Sequence, residues 1–227
     1  MITDNMSYSE IANEFKSDWS NYLSDRIPEI METPKYRKFV LKNVKDEQEC
    51  YFKPVDIKVN GNNYILQIST VGRSEFKKKG FRFRIYMYYT RKDGTYVIEQ
   101  CFKDDGLPSY LYIYPPHIFE EFRKDVLKDT SLSIMETIHE FFQERSERAK
   151  CNCMESEKYA VCSSSSVILG KKLSDGLLLN ETYINIDTLK EIGALDIFVE
   201  NDLSTSLILT EQSKEIFEEL YKENLYS

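Results

Sequence analysis

Two histidines, His117 and His139, and five cysteines, Cys50, Cys101, Cys151, Cys153 and Cys162, are the side chains best suited to proton transfer, nucleophilic attack or metal ligation. His117 follows the apolar run YLYIYPP and opens a helical pattern, with Glu120, Glu121 and Lys124 close behind it. Arg123, six residues on, stands about 120° around the helix and does not converge with it. Lys124 does fall on the His117 face. A histidine so placed, with cationic neighbours, is compatible with metal-independent phosphodiester cleavage, His117 acting as acid or base in a nuclease-like enzyme. The plainer reading is an exposed histidine at a helix start, and it is the one we take.

His139 with Cys151, Cys153 and Cys162 supplies the ligand types of a zinc module. The spacing opposes it. One residue separates Cys151 from Cys153, whereas zinc knuckles use about two to four. An odd number of cysteines in a chain large enough to need no covalent staples reads instead as free thiols. Phosphate-cradling, dinucleotide, metalloprotease and serine-hydrolase motifs are all missing, and eight glycines leave little material for a backbone anion cradle. We expect no cofactor.

The remaining chemistry is cationic and aromatic. Residues 76–92 hold Lys77, Lys78, Lys79, Arg82, Arg84, Arg91 and Lys92 with no acid before Asp93, although the whole chain has a net charge of −8. Arg82, Arg84, Tyr86 and Tyr88 alternate with apolar residues. On a strand they would share one face, and cations interleaved with rings can follow a single-stranded phosphate backbone while stacking bases. The acidic overall balance argues against tight nucleic-acid binding, and a covering helix would remove the face altogether.

The element that must position this stretch is a β-hairpin over residues 81–103. Asp93-Gly94 between two β-rich runs predicts a two-residue turn pairing Lys92 with Thr95, Tyr89 with Ile98 and Met87 with Gln100. One face then carries Phe81, Phe83, Ile85, Met87, Tyr89, Tyr96, Ile98 and Phe102 and turns to the core. The other carries Arg82, Arg84, Tyr86, Tyr88, Val97, Glu99 and Cys101 and turns to solvent.

Around the hairpin, residues 8–31 read as an amphipathic helix kinked or ended at Pro28. Thr33-Pro34 reads as an N-cap and first helical residue. Residues 53–59 and 64–71 form a second hairpin about Asn60-Gly61, and 72–80 a polar connection. Residues 110–114 make a fifth strand. Helices follow at 116–128 and, from the Ser133/Glu136 capping box, through Phe142 to an end at Arg145 and Arg148. Residues 149–158 read as a loop, 159–169 and 177–186 as strands about a turn at 170–176, and a helix begins at Thr210. The expected class is α+β: an antiparallel meander of about five strands packed by helices, with a smaller C-terminal β-hairpin plus helices. Residues 1–149 and 150–227 read as two lobes of one domain.

Hydrophobic content of 41% and charged content of 30% describe an ordinary globular chain. No stretch approaches the ~20 apolar residues of a membrane span, and the start has no signal-peptide pattern. The resulting expectation is a non-catalytic cytoplasmic binding or interaction protein, monomer or homodimer. It would use Lys77, Lys78, Lys79, Arg82, Arg84, Tyr86 and Tyr88 to hold a protein or a single-stranded nucleic acid.

Overall fold

The computed structural model describes residues 2–46, 48–102, 108–146, 150–153, 158–162, 166–174 and 176–191. They divide into two compact units, Met1–Tyr112 and Ile113–Ser227. The class is α+β. The helix expected from Thr210 lies outside the described residues.

The first unit opens with α1 (Tyr8–Asp18), started by a reciprocal Ser7/Glu10 capping box. Pro28 does not end this run. A five-residue π-turn, Trp19–Leu23, interrupts it upstream, and α2 (Ser24–Met31) continues through the proline. A π-turn widens the ladder locally, which is where a helix accommodates irregular sequence. In α3 (Pro34–Asn43), Thr33 holds the N-cap position without capping, because its hydroxyl donates back to the Ile30 carbonyl at 2.7 Å.

Strands β1 (Glu49–Tyr51) and β2 (Val55–Val59) both pair with β3 (Asn62–Val71), which pairs with β4 (Arg82–Arg91), and β4 with β5 (Gly94–Phe102). β6 (Pro108–Tyr114) follows β5 in the order. The β2–β3 turn is as expected: Asn60 and Gly61 take φ of 51° and 81°, the pair of positive values a type I′ turn requires.

The β4–β5 turn differs. Arg91 pairs with Gly94, Tyr89 with Tyr96 and Met87 with Ile98, so the register is two residues away from the expected one. Lys92 and Asp93 occupy the turn with negative φ, and Gly94 takes the positive value, 135°. A type I turn accepts most residues centrally and favours Gly at its last position. Lysine has no reason to adopt the positive φ of a primed turn. Because the displacement is even, each side chain keeps its face.

The expected core face is buried at Ile85, Met87, Tyr89, Tyr96 and Ile98. Phe15 of α1 packs edge-on against Tyr64 at 5.5 Å, and Trp19 stacks on Phe83 at 6.4 Å. The side chain of Phe102 lies outside the described part. The opposite face is a correction: Ile65, Tyr86 and Val97 are fully buried and Glu99 nearly so. Its middle is covered rather than solvated, and its margins at Arg82, Arg84 and Tyr88 keep contact with solvent.

Residues 72–80, read as a connection, form α4 (Gly72–Lys79). One apolar residue, Phe76, leaves no periodicity to detect. The helix signals are at the ends: Glu75 in the first turn, three lysines in the last, and Gly80 at φ 76° as the stop. Below the sheet, Asp18 is 1% exposed and accepts from Asn60 Nδ2 (2.7 Å), Asn62 Nδ2 (2.8 Å) and Tyr64 Oη (2.6 Å). This buried carboxylate ties α1 to the β2–β3 hairpin, each polar partner meeting the others' desolvation cost.

In the second unit, α5 (Pro116–Phe122) and α6 (Ile134–Ser146) pack through Phe119, Phe122, Phe141 and Phe142, with ring pairs between the helices at 5.2 Å. The Ser133/Glu136 capping box is present. The helix expected to reach Lys128 becomes a π-turn at Arg123–Leu127, which leaves Val126 half-buried. Strands β7 (Lys150–Cys153), β8 (Lys158–Cys162), β9 (Ser166–Ser174) and β10 (Leu177–Asn185) pair antiparallel in sequence, and α7 (Ile186–Glu191) follows. β7 replaces part of the expected loop, and the single strand expected over 159–169 is divided between β8 and β9. Gly170 lies within β9 because the Tyr159 ring crosses it to donate to Asn180 Oδ1 at 2.9 Å. A Cβ at this position would sit 2.5 Å from that ring and 2.4 Å from the Leu179 carbonyl oxygen.

Candidate functional site

The expected binding residues do not share one open surface. Arg82 is exposed, Arg84 and Tyr88 are half-buried, and Tyr86 is fully buried, where desolvation pushes its hydroxyl above the ordinary tyrosine range. The cations are met from within. Arg82 pairs with Glu75, and Arg84 lies 3.4 Å from Glu99, whose side chain is 7% exposed. Arg91 sits over the rings of Tyr8, Tyr89 and Tyr96, at 5.3–5.4 Å from each centroid, and donates to the Met6 carbonyl. Lys77, Lys78 and Lys79 belong to α4, where they complement the negative end of the helix dipole.

What the fold does bring together is a cleft of about 930 Å³ in the first unit. Pro28, Met31 and Glu32 come from the end of α2, Arg37 and Leu41 from α3, and Phe76, Lys77, Lys79 and Gly80 from α4 with its stop. Phe81 comes from just before β4 and Phe83 from its start. Val40, Val44 and Phe76 form the core behind it, with Cys50, Phe52 and Phe81 packed on them. The floor is therefore aromatic and the rim mainly cationic.

Two reciprocal contacts hold α3 against α4. Arg73 Nε donates to the Val44 carbonyl at the end of α3 (3.1 Å). The Asp46 carboxylate accepts from the Ser74 backbone N–H and hydroxyl, both at 2.9 Å, capping α4 from outside it. Those two bonds hold the Asp46 carboxyl below the usual carboxylate range.

The rim charges differ in their engagement. Lys79 has Glu75 at 3.5 Å. Among the described residues, neither Arg37 nor Lys77 has a carboxylate within ion-pair distance, and Lys77 only feels the field of Asp46. On the far side of α3 a second groove of about 610 Å³ is lined by Lys35, Tyr36 and Phe39 of that helix and by Phe52 to Asp56. Lys77 and Lys79 stand out in the sequence as part of a basic run, and Arg37 does not. Its signal is the run PKYRKFVLKN, which has four cations and no acid.

In the second unit His117 is exposed, with Nε2 2.9 Å from the Glu181 carbonyl oxygen, so that nitrogen carries the proton in the neutral ring. Glu121 is nearby, as expected, its carboxyl pushed up by burial and pulled back by the charge of His117 and the Tyr183 N–H. Glu181 pairs with Lys171. Arg123 is committed to the Leu132 carbonyl at 3.2 Å, and Lys124 is exposed on the π-turn.

His139 is half-buried on α6. In the β7–β8 ladder Cys162 stands opposite Lys150, while Cys151 and Cys153 stand opposite Val161 and Tyr159. The cysteine side chains lie outside the described part. Among the described residues no three His, Cys, Asp or Glu side chains are grouped to hold a metal ion. Nor is any helix there long and apolar enough to cross a membrane. No protein family, no curated protein and no solved structure matches this chain.

Proposed function

We propose that this chain is a non-catalytic binding protein that holds an anionic, partly apolar ligand in the cleft between α2, α3 and α4. The observation that supports it most is the chemistry of the lining: aromatic rings at the floor, Arg37, Lys77 and Lys79 at the rim, and Glu32 as the one carboxylate among the described lining residues. None of those residues is a histidine, cysteine, serine or threonine, and the lining chemistry is that of apolar and ionic contact. Its size falls within the range of about 300–1,000 Å³ used for small or partly buried ligands.

An aromatic sulfonate tests the reading directly. Anilinonaphthalene sulfonate should bind with a rise in fluorescence, and Arg37→Glu/Lys77→Glu should weaken its binding about tenfold or more, because two like charges then face the anion. Both side chains are exposed, so the circular dichroism of the variant should match the parent. Equal affinity in the two proteins removes the proposal.

A further inference from the structure

The two grooves share a wall, helix α3, and that wall has its own pattern. At 100° per residue, positions four apart fall on one side of a helix. Tyr36 and Val40 face inward and are buried. Arg37 and Leu41 flank the larger cleft, and Lys35 and Phe39 flank the smaller groove. Lys38 and Lys42, both exposed, are left on the crest. Each flank thus pairs a cation with a large apolar side chain, and Phe39 and Leu41 are 47% and 36% exposed.

This arrangement works against the helix that bears it. Three of the cations, Lys35, Arg37 and Lys38, lie near the N-terminus of α3, where the dipole favours carboxylates, and the first turn has no acid. Lys35 lies over the Tyr36 ring at 4.8 Å, whereas among the described residues Arg37 and Lys38 have no ion pair or ring contact. A local rule broken without an internal compensation points to a charge supplied from outside.

From this we infer that α3 is a recognition ridge for an acidic protein segment that crosses it, placing one apolar side chain in each groove and carboxylates over the crest. The inference rests on the binding reading above and names its partner. A helix is about 10–12 Å across. An extended chain advances about 3.3 Å per residue, so the two anchors stand three or four residues apart with acids between them.

The rings favour this partner over nucleic acid. Phe52 is already met edge-to-face by Tyr36, Phe39 and Phe81 at 4.8, 5.6 and 5.7 Å, and Trp19 stacks on Phe83. Packed rings of this kind leave apolar recesses rather than the open platforms that bases stack on. A recessed floor is likewise out of reach of a flat lipid surface.

The test uses a fluorescein-labelled peptide with the core Phe-Glu-Glu-Glu-Leu flanked by Gly-Ser, read by anisotropy. Binding should weaken about tenfold when either anchors or acids are replaced, as in Ser-Glu-Glu-Glu-Ser and Phe-Gln-Gln-Gln-Leu. It should weaken similarly in Phe39→Ser and in Lys38→Glu, neither of which should change binding of anilinonaphthalene sulfonate. Both sites are exposed, which leaves the fold intact in either variant. Unchanged peptide affinity in both variants, with the sulfonate still lost in Arg37→Glu/Lys77→Glu, overturns the ridge and leaves the cleft standing. Full retention of both probes in the latter variant removes the cleft and the ridge together. Competition by oligothymidylate or phosphatidylserine vesicles as strong as that of the peptide, at equal charge, overturns the protein partner.

Discussion

The β4–β5 hairpin and the α3–α4 surface are both rich in arginine, lysine and aromatic side chains, yet their charges end in different places. On the hairpin, Arg82 meets Glu75, Arg84 meets Glu99, and Arg91 is enclosed by three tyrosines. On α3, Lys35 lies over the Tyr36 ring, but Arg37 and Lys38 have no ion pair or ring contact among the described residues. The first set is part of what holds the protein together; the second is a charge the fold leaves over. Composition and alternation do not separate these two cases, because the counter-charge of each cation arrives from another segment.

The contrast can be broken by substitution, and the largest effect should come from Arg84→Met. It leaves the buried Glu99 carboxylate without its cation. The expected loss is about 2 kcal/mol, between the roughly 3–5 of a fully buried pair and the roughly 0–1 of an exposed one. Urea denaturation measures it, and Arg84→Met/Glu99→Leu should recover most of the loss. A single variant as stable as the parent would place Arg84 with the unspent cations.

A smaller effect is expected for Arg91→Gln. Removing the guanidinium from Tyr8, Tyr89 and Tyr96 should cost about 1 kcal/mol and loosen the N-terminal segment held through Met6. Faster amide exchange around Tyr8 would register it; unchanged exchange would show that the cage is incidental.

The smallest effect, and of opposite sign, belongs to α3. Arg37→Glu/Lys38→Glu puts acids near the positive end of the helix dipole and should raise stability by a few tenths of a kcal/mol, on the scale of ~0.3–1 per favourable charge. A loss of stability in the thermal melt would mean that these cations have internal partners after all, and the distinction between the two surfaces would go.

Much of the fold was legible where short-range rules act alone. Alternation at period two assigned Ile85, Met87 and Ile98 to one side, and an even register displacement left that assignment intact. The Ser133/Glu136 capping box and the Asn60-Gly61 turn were readable because each is closed by groups within a few residues of one another. α4 escaped because a helix with one buried aromatic and three lysines has no apolar period. The cleft escaped for a different reason: its lining is gathered from positions 28 to 83, and no one stretch contains it.

The sequence by itself determined sides, one turn and one cap: which residues of a strand point together, where Asn60 and Gly61 reverse the chain, and where α6 begins at its Ser133/Glu136 box. These follow from backbone geometry and from bonds spanning three or four residues. Only the tertiary structure decided that the middle of the hairpin's second face is covered, that Asp18 is buried among Asn60, Asn62 and Tyr64, and that Arg82 and Arg84 of β4 meet carboxylates while Arg37 of α3 does not. Burial and charge pairing are properties of segments brought together across the chain, and desolvation gives a residue its cost or its use only once those neighbours are in place.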